Sequence, residues 1–231
     1  MIQLDRQDGV FVLRMDEGEN RFNETSVSAL LSALDEVERS TEPAVLVTVG
    51  AGKFYSNGLD LAFISTLSAA DAQAFIGRVH DLLAKLLFLP AITVAAINGH
   101  AFAAGAMLAL AHDFRVMRRD RGYFCLPEVD INVPFTPPMA TLIQSRLPNM
   151  TAHEAMVTGK RYPAEEARAR QIVDAVADEA NVLSDAIALA KTYSGKARPT
   201  LSAIKRGAYP QMLTAVREFA ELAPGSRPLT A

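Results

Sequence analysis

The sequence predicts an α/β fold: a layered β-sheet core with crossover helices over residues 1–160, followed by a helical region over 161–231. Two observations carry this reading. Continuous apolar runs, each closed by Gly or Asn-Gly, alternate with longer stretches whose apolar residues recur at helical spacing. After about residue 136 the strand-like runs stop and the pattern is helical throughout. A chain of 231 residues can bury one large core, so a single domain is expected.

Taken in order, Ile2 to Arg6 and Val10 to Met15 read as short strands joined at Asp8-Gly9, a hairpin signal. Val27, Leu30, Leu31, Leu34 and Val37 lie on one helical face, with Asn23 or Thr25 as the cap. Ala44 to Val49 is apolar without alternation, which suits a strand buried on both faces. A second helix is expected from Asp71 to Leu87, stopped by Pro90, and a second buried strand from Ala91 to Ile97. Ala103 to Ala111 reads as a short Ala-rich helix, and Phe114 to Met117 and Tyr123 to Leu126 as two more strands. Thr136-Pro137 has the form of a cap followed by proline at the first helical position. Thr151 to Glu154 has capping-box spacing, with Gly159 placed to end that helix. Further helices are expected at 163–170, 181–194, 199–207 and 210–222.

Composition excludes several classes. The net charge of −3 and the absence of a basic stripe argue against a nucleic-acid partner. The longest apolar stretch, Ala101 to Ala111, is too short for a membrane span, which needs roughly 18 residues. The N-terminus lacks a secretory signal pattern and Leu229-Thr230-Ala231 is not a peroxisomal address, so a cytoplasmic location is expected. Cys125 is the only cysteine and sits in an apolar run, so it reads as a packing residue. His80, His100, His112 and His153 show no paired spacing, and no metal site is expected.

Three segments look costly for a plain scaffold. Gly50 to Leu61 and Asn98 to Gly105 are small-residue turns after buried strands, and two such turns can set unpaired N–H groups side by side. That arrangement is an oxyanion hole, in which each donor lowers a barrier by about 3–4 kcal/mol. The third segment, Leu126-Pro127-Glu128-Val129-Asp130, places a carboxylate beside proline at the end of an apolar strand.

Together these segments resemble the crotonase (enoyl-CoA hydratase/isomerase) superfamily over roughly residues 5 to 210. Lys53-Phe54-Tyr55-Ser56-Asn57-Gly58-Leu59-Asp60-Leu61 is similar to the family's first oxyanion segment. Asn98 to Gly105 with Leu108 to Phe114 is similar to the second, and Gln171-Ile172-Val173-Asp174 to its Gly-Leu-Val-Asp-like segment. Arg21-Phe22-Asn23, His112-Asp113 to Arg121-Gly122 and Glu128 to Ile131 add a likeness to the Δ3,Δ2-enoyl-CoA isomerases, particularly their plant-type branch.

The resemblance implies a core of ββα repeats and an acyl-CoA thioester as substrate, with coenzyme A part of that substrate and no separate cofactor. It implies that the N–H groups of Asn57 and Ala104 hold the thioester oxygen and that Glu128 moves the proton. Alanine at 104, where the family commonly has glycine, is costly if the turn there needs a positive φ. Lys53, Phe54, Tyr55, Ser56, Gly58, Asp60, Met107 and Phe135 become substrate-contact positions, although Asp60 also reads as the cap of a following helix. Asp130, two residues from Glu128, is the alternative carboxylate. Lys53, Arg198, Lys205 and Arg206 are candidate partners for the coenzyme's phosphates. A homotrimer or a dimer of trimers is implied.

Hydratases of the family usually carry a second glutamate three residues after the second oxyanion donor; Met107 stands there. Adding water is helped by two carboxylates, whereas moving one proton from C2 to C4 needs one base that then acts as acid. The hydratases' Gly-rich loop is also replaced, by Val133-Pro134-Phe135-Thr136-Pro137-Pro138. The resemblance therefore favours isomerisation. The alternatives are hydration, another reaction through the same enolate such as decarboxylation or C–C cleavage, and a non-catalytic acyl-CoA-binding paralogue.

Overall fold

A computed structural model describes residues 1–7, 9–40 and 44–222. Asp8 of the expected first turn and the C-terminal Leu229-Thr230-Ala231 lie outside the described residues. β1 (Ile2–Gln7) and β2 (Val10–Met15) pair antiparallel, with Ile2 opposite Met15. α1 (Glu24–Arg39) starts at Asn23, whose side chain accepts the Ser26 N–H while the Ser26 hydroxyl oxygen accepts the Asn23 N–H. Thr25 lies inside the helix and does not cap it.

The strands β3 (Val45–Gly50), β5 (Ile92–Ile97) and β7 (Phe114–Arg118) run parallel in a six-stranded sheet that β9 (Ala175–Ala177) completes, in the order β1-β2-β3-β5-β7-β9. Each of β3, β5 and β7 is followed within a few residues by a short strand of a second, three-stranded parallel sheet. These are β4 (Phe54–Ser56), β6 (His100–Phe102) and β8 (Phe124–Cys125). Helices follow each pair: α2 (Leu61–Ile64) and α3 (Ala69–Phe88), then α4 (Ala104–Leu110), then α5 (Pro137–Arg146). These are the ββα repeats that the resemblance implies. β4 and β6 fall where the sequence reads as loop, because two or three residues carry too little alternation to register.

Strand periodicity explains the unbroken apolar runs. Phe11, Leu13, Leu46, Ala95, Ile97 and Met117 face the main core, which α1, α3 and α4 fill. Val10, Val12, Val45, Val47, Val94 and Val116 point the other way, into a second core covered by α8 (Val182–Thr192). Both sheet faces are therefore dry, and each buried Val contributes on the order of 1.5–3 kcal/mol.

The C-terminal region departs from expectation in three places. After α6 (Asn149–Thr158) and α7 (Ala164–Ala169), β9 (Ala175–Ala177) joins the large sheet beside β7, so the region is not wholly helical. The capping box at Thr151 does not form: α6 begins two residues earlier, after Pro148, and the Thr151 hydroxyl donates to the Arg170 carbonyl at 3.1 Å. Thr136 does precede α5, with Pro137 in the first turn, but its hydroxyl pairs with His80 Nε2 at 2.8 Å instead of capping. Gly159 ends α6 at φ +61°, as its spacing predicts. Among the described residues no helix is long and apolar enough to cross a membrane.

α9 (Arg198–Ala208) and α10 (Pro210–Leu222) close the described chain. Lys205, placed among the coenzyme's partners by the resemblance, is instead buried beneath α9. Its Nζ donates to the Ala91 carbonyl and to Asp113 Oδ2, both at 2.8 Å. Asp113 Oδ2 also accepts the Thr93 N–H, so this ion pair ties the tail to β5 and to the start of β7. Replacing one member of a buried pair strands the other charge. Lys205→Met is expected to lower stability by about 3 kcal/mol, measured as a shift in the urea midpoint at unchanged m-value.

Candidate active site

The C-terminal ends of β4, β6 and β8 converge on one cavity of about 220 Å³. Its walls are largely apolar, from Leu59, Leu61, Phe102, Met107, Ile131 and Met139, and Glu128 is the carboxylate among its lining residues. Glu128 lies in the turn after β8, where Asp130 and Ile131 both donate N–H groups to the Pro127 carbonyl. Only 5% of Glu128 is exposed, and its Oε2 has no hydrogen-bond partner. Desolvation of the charged form pushes the carboxyl up to about 7. Near neutral pH such a group exists in both forms and can take a proton and return it.

Asn57 sits at the cavity, but its backbone N–H is not free. It donates to the Glu19 carbonyl at 2.9 Å, and its side-chain Nδ2 donates to Glu19 Oε2 at 2.8 Å. The expected donor therefore has to be corrected by two residues. Phe22 donates to the Gly58 carbonyl and accepts from the Asp60 N–H, a parallel bridge that turns the intervening Leu59 N–H to the opposite edge. That N–H has no acceptor among the described residues, and Leu59 lines the cavity. Nothing in the local sequence separates Leu59 from Asn57, because the pairing partner lies 37 residues away in the turn before α1.

Ala104 opens α4, so its N–H is one of the helix's unpaired first-turn donors, and it too lines the cavity. The strain expected of a non-glycine residue here falls one position earlier: Ala103 holds φ +51° and ψ −127°, while Ala104 is already helical. The two donors are brought together by glycines. Gly58, at φ +75°, passes so close to α4 that a Cβ would stand 2.8 Å from the Ala104 nitrogen. A Cβ on Gly105 would stand 2.3 Å from the Ser56 carbonyl oxygen.

The other positions sort clearly. Met107 is fully buried and lines the cavity. Tyr55 does not: it points from the opposite face of β4 into the core, fully buried, with its hydroxyl 2.7 Å from Thr48 Oγ1. Ser56 is also spent, its hydroxyl donating to the Asn20 carbonyl at 2.7 Å and accepting the Gly58 N–H at 3.2 Å. Lys53 is exposed and lies over the Phe54 ring, and Phe54 packs against His100 on the outer face of the small sheet. Neither borders the cavity. Asp60 caps α2 by accepting the Phe63 N–H, the role its position suggests, and does not line the cavity; it borders a separate polar depression with Glu17, Glu19, Arg21 and Asn23.

Phe135 packs on the main core, while Val133, Pro134 and Met139 take the wall expected of it. Asp130 is turned away against Gly159, so it is not a second carboxylate in the cavity. Arg198 donates to the Val37 and Glu38 carbonyls, and Arg206 lies over the Phe88 ring. Like Lys205, neither borders the cavity. Arg21 is the cation that does. It pairs with Glu19 at 2.6 Å; the Asn57 side-chain hydrogen bond, followed by this guanidinium, holds that carboxylate below its ordinary range. Cys125 is buried, with its thiol directed at the Gly159 carbonyl. Among the described residues no cluster of three or more His, Cys, Asp or Glu is placed to hold a metal ion.

This chain is similar along nearly its whole length to proteins of known kind. The model of the enoyl-CoA hydratase/isomerase family matches residues 5–219. Enoyl-CoA delta isomerase 3 of Arabidopsis thaliana is 35% identical over 229 residues, spanning 92% of this chain and 93% of its own. The peroxisomal enoyl-CoA delta isomerase 2 of the same plant is 34% identical over the same shares. An apo enoyl-CoA isomerase structure from Mycobacterium tuberculosis superposes with a TM-score of 0.86 at 28% identity, covering 94% of this chain and 95% of that one. With the layered sheets, the paired turns and the cavity carboxylate all in place, the chain belongs to the enoyl-CoA hydratase/isomerase family.

Proposed function

We propose that this protein is an enoyl-CoA isomerase, moving the double bond of a 3-enoyl-CoA into conjugation with the thioester. The observation that carries the reading is Glu128 as the one carboxylate among the described residues lining a largely apolar cavity, which Met107 also lines where a hydrating enzyme would want a second one. The carboxylate of Glu128 takes a proton from C2. The electron pair moves toward the thioester oxygen, which the Leu59 and Ala104 N–H groups receive as it becomes anionic. The same carboxyl then returns the proton at C4, leaving the double bond between C2 and C3. Proton and charge balance with a single acid–base group, and the apolar walls keep water from the dienolate.

The isomerase names of the plant relatives support the reaction class. The assembly we propose is a homotrimer or a dimer of trimers. Exposed apolar side chains beside the site, at Val129, Ile131 and Val133, and on α6, at Met150 and Val157, are surface suited to subunit contact. Sedimentation at the mass of three or six protomers supports this, and a monomer refutes it. We also propose a cytoplasmic location.

The reaction class is tested by following conjugated-thioester absorbance. A 3-enoyl-CoA should gain absorbance rapidly, while a 2-enoyl-CoA should lose it slowly as water adds. Met107→Glu should raise that slow hydration. Fast hydration by the wild type without isomerisation would instead establish a hydratase. Glu128→Gln keeps the shape of the side chain and removes the base. Turnover should fall by roughly 10² to 10⁴ while acyl-CoA affinity is kept.

Wild-type kcat/KM should fall as pH drops below about 7, because the base becomes protonated. The stability effect has the opposite sense. The folded carboxyl titrates above its ordinary 4.5, so the wild type loses stability as pH rises from 4.5 to about 7. At pH 8 Glu128→Gln should therefore be the more stable protein, by on the order of 2–3 kcal/mol, with the gap closing below pH 4.5. Denaturant titrations at the two pH values measure it.

A further inference from the structure

Behind the cavity lies a polar chain that the chemistry above does not use. Thr48, Tyr55 and His112 are buried, in β3, in β4 and just after α4. Thr48 Oγ1 is 2.7 Å from the Tyr55 hydroxyl and 2.9 Å from His112 Nε2, and His112 Nδ1 is 2.8 Å from the Leu108 carbonyl within α4. The direction of every bond follows from these partners. A carbonyl oxygen can only accept, so Nδ1 carries the proton. Desolvation, with Arg115, Lys205 and Arg146 close by, pushes the imidazole down to about 3, so the ring is neutral and Nε2 is an acceptor. Thr48 then donates to Nε2, and Tyr55, whose phenol burial keeps protonated, donates to Thr48. No polar atom of the chain is left unsatisfied.

The chain joins the two segments that meet at the cavity. Tyr55 is four residues before Leu59 on one continuous segment, and Leu108 belongs to the helix that Ala104 opens. At the cavity end these segments are spaced by the glycine contacts of Gly58 and Gly105. At the far end both are pinned to one hydroxyl on the large sheet. We propose that Thr48, Tyr55 and His112 are positioning residues for the reaction: their hydrogen-bond chain sets the separation and aim of the Leu59 and Ala104 N–H groups. The inference rests on the reading of those two groups as the oxyanion donors.

Thr48→Val cuts both links at nearly constant volume, Thr48→Ser restores them, and Tyr55→Phe cuts one. Two quantities are measured: steady-state kinetics on a 3-enoyl-CoA, and the infrared thioester carbonyl band of bound hexanoyl-CoA. Thr48→Val should lower kcat by roughly tenfold to a hundredfold with KM little changed, as expected for a small misplacement of catalytic groups. The carbonyl band should shift back toward its value in water. Thr48→Ser should recover both, and Tyr55→Phe should fall between. Should Thr48→Val not fold, Tyr55→Phe decides on the same readouts. A lowered Tm with kcat and band unchanged would overturn the positioning role. Wild-type protein that turns over no 3-enoyl-CoA would count against the proposed reaction alone, since the band still reports the aim of the donors.

Discussion

The close approach of the Ser56–Gly58 turn to the first turn of α4 is the constraint on which the site depends. Backbone meets backbone there without a side chain between, with Gly58 against the Ala104 nitrogen and Gly105 against the Ser56 carbonyl. Only glycine permits that spacing, and at Gly58 the positive φ adds a second reason. Everything else can be understood as holding these two turns in register. The large sheet delivers β3 and β5 side by side, and the small sheet pairs β4 with β6 directly behind the turns. The strand β8 then brings Glu128 to the same end.

This arrangement carries costs that the fold offsets elsewhere. Ala103 occupies a backbone conformation unfavourable to any side chain, at about 1–3 kcal/mol. Glu128 is desolvated with one oxygen unpartnered, which destabilises the folded state whenever the carboxyl is charged. Both features sit at the cavity, and hydrogen-bonded charged groups hold the end of the helix that follows Ala103. These groups are buried Arg115 and half-buried Arg146. Arg115 donates to the Ile172 and His112 carbonyls and pairs with Asp174, while Arg146 donates to the Leu110, His112 and Asp113 carbonyls. The polypeptide leaving α4 is thus held by charge-assisted bonds from two later segments.

Asn57 and Leu59 show where residue-level reading from sequence goes astray. Both lie in one short segment and both border the cavity. The choice between them is made by Glu19 and Phe22, whose backbone groups claim Asn57, Gly58 and Asp60 and leave Leu59. Ser56 fails because its hydroxyl is claimed by the distant Asn20 carbonyl, and Tyr55 because of strand alternation. In a three-residue strand alternate side chains face opposite sides, and Tyr55 falls to the core side where Thr48 receives it. Lys205 reads as a candidate partner for the coenzyme's phosphates, yet Asp113 and the Ala91 carbonyl draw it inside.

By itself, the sequence determined what depends on local pattern. The buried strands, the long helices α1 and α3, an α1 cap at Asn23 or Thr25, the Asp60 cap and the Gly159 stop all follow from apolar spacing and cap chemistry within a few residues. Glu128 was singled out by the resemblance of its segment to the family's, since a carboxylate after an apolar strand and a proline is by pattern alone an ordinary strand-end residue, and the structure places it on the cavity. The tertiary structure decided which N–H groups remain unpaired, which face of each short strand borders the cavity, and which cations are buried. Those outcomes rest on backbone hydrogen bonds and ion pairs between residues tens of positions apart. Such partners compete for each group only once the sheets have brought them together, so no local pattern records the result.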